Sequence, residues 1–324
     1  MRARSRLAFL TAAVLLAAGG IAYREYAGAV AAAERRVSGR SDVVATRHGR
    51  LQYAVAGRGT PLLMIHGTGG GFDQGLTFTE GLLRRGFQVI APSRFGYLQS
   101  DFPADPSSAN QADALVDLLD HLGIDRIAVA GGSAGALAAA EFALRHPDRC
   151  SALILVVPAA NVRGADPVEM SGAQEFFVRR LTGSNLLFWT ALRVARDRMI
   201  ATLLATDPAL VRNASPSEQR RAQRILEEIM PVQRRSRGML NDARLAGHPA
   251  RMNFRQIRVP TLVISAEDDQ FGTAATARDI AAQVAGSRLV IFPKGGHIWV
   301  GHDERLWAEV ARFLRAPPSS DRPG

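Results

Sequence analysis

The chain has 324 residues, 47% hydrophobic and 22% charged, a balance that suits a globular protein able to bury a large core. Cys150 is its only cysteine, which excludes an intrachain disulfide and a thiolate zinc site. The net charge of +10 is gathered in residues 1–50 (9 Arg, 3 acids) and 160–258 (17 Arg, 9 acids), and with no recognition motif beside it nucleic acid is not an expected partner.

Residues 1–36 open with Met1-Arg2-Ala3-Arg4-Ser5-Arg6 and run apolar from Leu7 to Tyr23. That is the pattern of a signal anchor or signal peptide followed by a linker. An uncleaved anchor with the N-terminus inside and the catalytic domain exported is the first expectation. Cleavage near Ala27-Gly28-Ala29, giving a secreted or periplasmic protein, is the other.

From Asp42 the pattern predicts a hairpin over 43–46 and 51–55, turned at His48-Gly49-Arg50. Leu62-Leu63-Met64-Ile65 then reads as a strand buried on both faces of a parallel sheet. It ends in His66-Gly67-Thr68-Gly69-Gly70-Gly71, which lacks the lysine of a phosphate loop and the spacing of a dinucleotide fingerprint, so no nucleotide cofactor is expected. Small residues here would let backbone N–H groups approach a reacting carbonyl. In such a loop His66 is expected to support structure through hydrogen bonds.

Phe87–Pro92 is the next buried strand and leads into Ser93-Arg94-Phe95-Gly96-Tyr97. A helix is predicted over 108–122, with Asp113, Asp117 and Asp120 on its solvated face. The strand Ile127–Ala130 rises into Gly131-Gly132-Ser133-Ala134-Gly135, and a helix follows at once. A serine held at a sharp strand-to-helix turn needs small neighbours, which this motif supplies. Alone, Gly-x-Ser-x-Gly is a weak signal.

After the strand Ala152–Val157 the regular alternation breaks. Residues 160–255 read as an inserted helical cap, with Phe176, Leu186, Leu187 and other large apolar side chains expected mostly in its core and some lining a pocket. Its arginines suit an anionic membrane surface; arginine-rich composition explains them equally, since Lys294 is the only lysine. The strands Val259–Ser265 and Arg288–Phe292 resume the sheet, a helix closes the core over 303–314, and 317–324 is an expected disordered tail. The core is thus 37–159 and 256–316, a doubly wound, mostly parallel α/β sheet.

Three loops at strand C-terminal ends offer Ser133, a carboxylate at Asp268 or Asp269, and His297. With His66-Gly67-Thr68, Ser93–Tyr97, Gly131–Gly135, Pro260–Ile264, Glu267-Asp268-Asp269 and Gly296-His297, the chain resembles the α/β-hydrolase fold superfamily over about residues 42–315. The resemblance implies that Ser133 is the nucleophile, His297 the base and Asp269 its orienting acid. The backbone N–H groups of Thr68 and Ala134 would form the oxyanion hole, with His66, Gly67 and Gly69 supporting the loop. Asp268 is the alternative acid and His302 a fallback base. A serine hydrolase acting on a small, lipophilic carboxylic ester is the expected function, without metal or cofactor. Acyl transfer and non-catalytic small-molecule binding are the alternatives.

Overall fold

The structure, a computed structural model, describes residues 2–160, 172–247 and 250–316. The expected tail at 317–324 and a stretch of the cap at 161–171 lie outside them.

The strands are β1 (Asp42–Thr46), β2 (Gly49–Gly57), β3 (Thr60–Ile65), β4 (Phe87–Pro92), β5 (Ile127–Gly132), β6 (Cys150–Val156), β7 (Thr261–Ala266) and β8 (Arg288–Phe292). They form one sheet in the order β1-β2-β4-β3-β5-β6-β7-β8, parallel from β4 to β8 with β1 and β2 antiparallel at one edge. The helices of the core are α2 (Phe72–Phe78), α3 (Glu80–Leu83), α4 (Ser108–His121), α5 (Gly135–Arg145), α12 (Thr273–Gln283) and α13 (Asp303–Arg315). The cap carries α6 (Gly172–Thr182), α7 (Asn185–Val194), α8 (Arg196–Leu203), α9 (Pro208–Arg212), α10 (Pro216–Glu227) and α11 (Ser236–Gly247). The first helix, α1, spans Arg2–Val37.

The unbroken apolar runs of the central strands follow from burial on both faces. Successive side chains point to opposite sides of the sheet. Leu63, Ile65, Val129, Leu153, Leu155 and Val263 therefore join the layer under α4, α5 and α12. Leu62, Met64, Ala128, Ala130, Ile154 and Ile264 join the layer that holds Trp307 of α13.

Two expectations about polar and apolar faces are corrected. Asp113 and Asp117 of α4 are not simply solvated: Asp113 pairs with Arg145 and His146, and Asp117 takes both the backbone N–H and the side chain of Arg47. In the cap, Phe176, Leu186 and Leu187 are exposed at 60%, 50% and 49% rather than buried. The inward stripe of α7 is Asn185, Phe188 and Leu192, spaced three and four apart, which turns Leu186 and Leu187 to the other face. Others of the large apolar side chains expected in the cap core, Phe188, Leu192, Met199, Ile200 and Leu204, do form it, together with Ile225 and Leu226.

The end of the 1–36 segment, expected as a linker, continues α1, which runs to Val37 and docks on the cap and the core. Ala33 and Val37 are buried, Tyr26 meets Trp189 edge-on at 5.7 Å, and Glu34 pairs with Arg234 at 2.8 Å. Further out, Phe9, Val14, Leu16, Ile21 and Tyr23 are exposed. Among the described residues no helix is long and apolar enough to cross a membrane.

Trp307 is the largest fully buried side chain, and a Cβ on Gly81 would lie 2.8 Å from its own Cβ. Trp307→Ala is expected to cost about 3–5 kcal/mol, since the closely packed layer cannot collapse into the space. Urea unfolding of the two proteins measures this as a lowered midpoint.

Candidate active site

Ser133 sits between the end of β5 and the start of α5 with a φ of +50°, in the left-handed region. That conformation is strained for a residue with a side chain, and close packing holds it. A Cβ on Gly131 would stand 2.6 Å from the Gly135 carbonyl oxygen, and one on Gly135 would stand 2.4 Å from that of Ile65. Glycine at these positions is what allows strand, helix and the β3 terminus to meet.

His297 lies in the short turn after β8 and Asp269 in the turn after β7. The His297 Nε2 is 2.9 Å from Ser133 Oγ, and its Nδ1 is 2.8 Å from Asp269 Oδ2. Asp269 is 5% exposed and also accepts from the Phe271 N–H and the Thr273 hydroxyl. These bonds use both carboxylate oxygens and fix its orientation. The neighbouring Asp268 points elsewhere and accepts from the Gly296 N–H at 2.8 Å. His302 stacks face to face on Phe292 at 4.3 Å. Of the alternatives, then, Asp269 and His297 are the pair that the fold brings to the serine.

Thr68 and Ala134 line one cavity with Ser133. Among the described residues neither backbone N–H has a hydrogen-bond partner within the chain. The loop that carries Thr68 is held at each position. His66 accepts from the Arg94 N–H through Nε2, and its Nδ1 lies 2.7 Å from the Gly67 carbonyl, a neutral-ring arrangement. Burial, reinforced by Arg94 and Arg235, pushes the His66 pKa well below the ordinary histidine value. The Gly67 N–H donates to Gln74 and the Gly69 N–H to the Tyr97 hydroxyl.

Several residues at this site carried no signal as site residues. Arg235 and Asp242 come from the cap, where the helical insert has no readable register against the core. Arg235 is fully buried; it donates to the Gly70 carbonyl and grips Asp73 with both terminal nitrogens. Arg36 of α1 reaches the same carboxylate at 3.3 Å. Burial raises the Asp73 pKa, but the two arginines outweigh it and hold the carboxyl below its ordinary value. Asp242 is held by Arg94, Tyr97 and Thr68. Thr206, also from the cap, accepts from the His297 N–H at 3.0 Å.

Two cavities open beside the serine. One, of about 430 Å³, is lined by Leu137, Pro158, Val178, Met239 and Leu245 among others. The other, of about 160 Å³, is lined by Phe78, Val157, Ile225, Ile229 and Trp299. Ser133, His297, Thr68, Leu203 and Phe271 border both. Among the described residues no group of three or more His, Cys, Asp or Glu could hold a metal ion.

Residues 60–300 match the alpha/beta hydrolase fold family. A 2-hydroxy-6-oxo-6-phenylhexa-2,4-dienoate hydrolase from Burkholderia cepacia is 27% identical over 254 residues, 76% of this chain and 85% of its own length. Among solved structures, an alpha/beta hydrolase fold protein from Nakamurella multipartita is 25% identical with a TM-score of 0.65, covering 85% of this chain and 99% of that one. An esterase from Exiguobacterium antarcticum superposes with a TM-score of 0.66 at 21% identity, over 85% of this chain and 99% of that one.

Because His66 is neutral in the fold and its pKa is depressed, the unfolded chain binds the extra proton first as pH falls. Its contribution is present above the unfolded value of about 6.5 and is lost below it, at up to about 1.4 kcal/mol per pH unit. Urea midpoints measured from pH 8 to pH 5 should fall less steeply in His66→Asn than in the wild type.

Proposed function

The chain belongs to the alpha/beta hydrolase fold family, and within it we propose a serine hydrolase that cleaves a carboxylic ester through an acyl-enzyme on Ser133. The observation that carries this reading is the continuous hydrogen-bonded line from Ser133 Oγ through His297 to Asp269. In the mechanism, His297 Nε2 takes the Ser133 proton as Oγ bonds to the ester carbon. The oxygen that gains charge is met by the N–H groups of Thr68 and Ala134, each worth about 3 kcal/mol in the transition state. Collapse expels the alkoxide, which takes the proton from His297. Water then attacks the acyl-enzyme by the same route, and Ser133 recovers its proton. Asp269 keeps Nδ1–H turned toward itself and stabilises the imidazolium.

The cavities favour an uncharged substrate. No arginine or lysine is among the described residues that line either one. Asp242 is the one acidic residue among them, and its oxygens already accept from Arg94, Tyr97 and Thr68. A carboxylate, such as the dienoate in the name of the Burkholderia cepacia relative, would meet no arginine or lysine there among the described residues, at a cost of roughly several kcal/mol. A neutral, lipophilic ester meets no such cost.

The proposal extends to attachment at a membrane through α1, with the catalytic domain exported, or release after cleavage. Its support is the exposed Phe9, Leu16 and Ile21 beside N-terminal arginines, and the arginine-rich cap.

Turnover of p-nitrophenyl butyrate, and labelling by a fluorophosphonate, are expected of the wild type. Ser133→Ala should abolish labelling and lower kcat by roughly 10⁴-fold or more. Asp269→Asn should lower kcat by about 10⁴-fold, and Asp268→Asn far less. Absence of labelling in the intact protein would instead identify a binding protein. For the membrane, the full-length chain should float with anionic vesicles in a sucrose gradient; sedimentation with every vesicle composition counts against attachment.

A further inference from the structure

The cap does more than roof the cavities. Arg235 immediately precedes α11, and the Met239 N–H bonds back to its carbonyl. Met239 and Asp242 follow four and seven residues on, so all three lie on one face of the helix. That face rests on the glycine loop. Arg235 holds the Gly70 carbonyl at one end, and Asp242 accepts from the Thr68 hydroxyl at 2.9 Å near the other.

Asp242 is 4% exposed, and four hydrogen bonds converge on its two oxygens. Arg94 donates to both oxygens, at 2.7 and 2.6 Å, and the Tyr97 hydroxyl donates at 2.5 Å. Its partners hold the loop in turn: Arg94 donates through Nε to the His66 carbonyl, and the Tyr97 hydroxyl accepts from the Gly69 N–H. Thr68 is thus tied by its own side chain, and the loop on either side of it, at His66 and Gly69, by groups anchored on the same carboxylate. The helix is seated closely enough that a Cβ on Gly238 would fall 2.1 Å from the Tyr97 ring.

A buried ion pair is weak evidence for stability, because desolvation offsets the attraction. Its value here lies in geometry. Backbone donors stabilise a developing oxyanion only when aimed at it in advance, and a displacement of about 1 Å can cost 100-fold in rate.

We propose that Asp242, a cap residue, is a positioning residue of the oxyanion hole, which fixes the Thr68 N–H through the Thr68 hydroxyl and completes the hole only when α11 is seated on the loop. This rests on the serine-hydrolase reading of Ser133. It makes substrate enclosure and catalytic competence one event, since the helix that borders the larger cavity also aims the donor.

The test is Thr68→Val, which keeps the backbone N–H and the side-chain shape and removes only the hydroxyl, with Thr68→Ser and Asp242→Asn alongside. Thr68→Val should lower kcat on p-nitrophenyl butyrate by about 10- to 100-fold with KM within about twofold, and slow fluorophosphonate labelling equally. Thr68→Ser should recover most of that loss. Asp242→Asn in the Thr68→Val background should cost markedly less than in the wild type, the coupling expected of residues that act as a unit. Thr68→Val with wild-type kcat and labelling rate overturns the proposal, as does a lowered melting temperature with undiminished kcat in the folded protein. A wild type that neither turns over nor labels overturns the serine-hydrolase reading itself, and is told apart by that control.

Discussion

The arrangement depends on one steric constraint, the meeting of three backbones at Ser133. The left-handed turn of the serine requires the end of β5, the first turn of α5 and the end of β3 to approach within distances that no side chain would allow. A consequence follows for the loop after β3. With Ile65 and His66 pressed against Gly135, the residues that come next emerge directly beside the serine, where a Cβ on Gly67 would be 3.2 Å from that of Ser133. The shared cavity of Thr68, Ala134 and Ser133 is therefore a product of the elbow's packing, as much as of the loop's own glycines.

Glycines bring the loop close, but they also leave it free to take many conformations. The fold restricts it with buried charge. Asp73, just past the loop in α2, is bracketed by Arg235 and Arg36, and Asp242 is paired with Arg94, so that α1, the core and the cap meet beside the loop. Such clusters carry a large desolvation cost, and apolar residues of similar size could make a core as stable. What apolar residues could not supply is direction. The Gly70 carbonyl, the Gly69 N–H and the Thr68 hydroxyl each have one partner at one angle.

This division explains what was legible in the sequence. The strands β3 to β7 were readable because burial on both faces leaves continuous apolar runs. The serine, acid and histidine were readable because their positions follow from chain order on a parallel sheet. The choice of Asp269 over Asp268 rests on the family resemblance, and the geometry supplies its reason: the Phe271 N–H and the Thr273 hydroxyl orient one carboxylate, while the Gly296 N–H takes the other. The cap resisted reading for a different reason. A helix reveals which of its faces is apolar but not what that face will meet. Arg235 looked like one of many surface arginines and is fully buried, whereas Phe176 and Leu187 looked like core and are exposed. Helix α1 shows the same limit, since nothing in Ala33 or Arg36 indicated that one would be buried in the cap core and the other would reach Asp73.

The two cavities bear on the substrate of the ester hydrolase proposed above. An ester has two halves, and attack at its carbonyl carbon places one on each side of the nucleophile. Among the residues that border both cavities are Leu203 from the cap and Phe271 from the turn that also carries Asp269. Phe271 meets His297 edge-on at 4.9 Å, so a side chain common to both cavities also touches the histidine beside Ser133. Selectivity between the halves of a substrate is then a matter of volume, because apolar walls discriminate by size at about 1–3 kcal/mol per methylene. Charge discriminates more sharply. The cap concentrates arginine, yet none of the described arginines lines either cavity, and the buried one is spent on the loop. Among the described residues, then, the arginines lie outside both cavities, and the walls beside Ser133 are largely apolar.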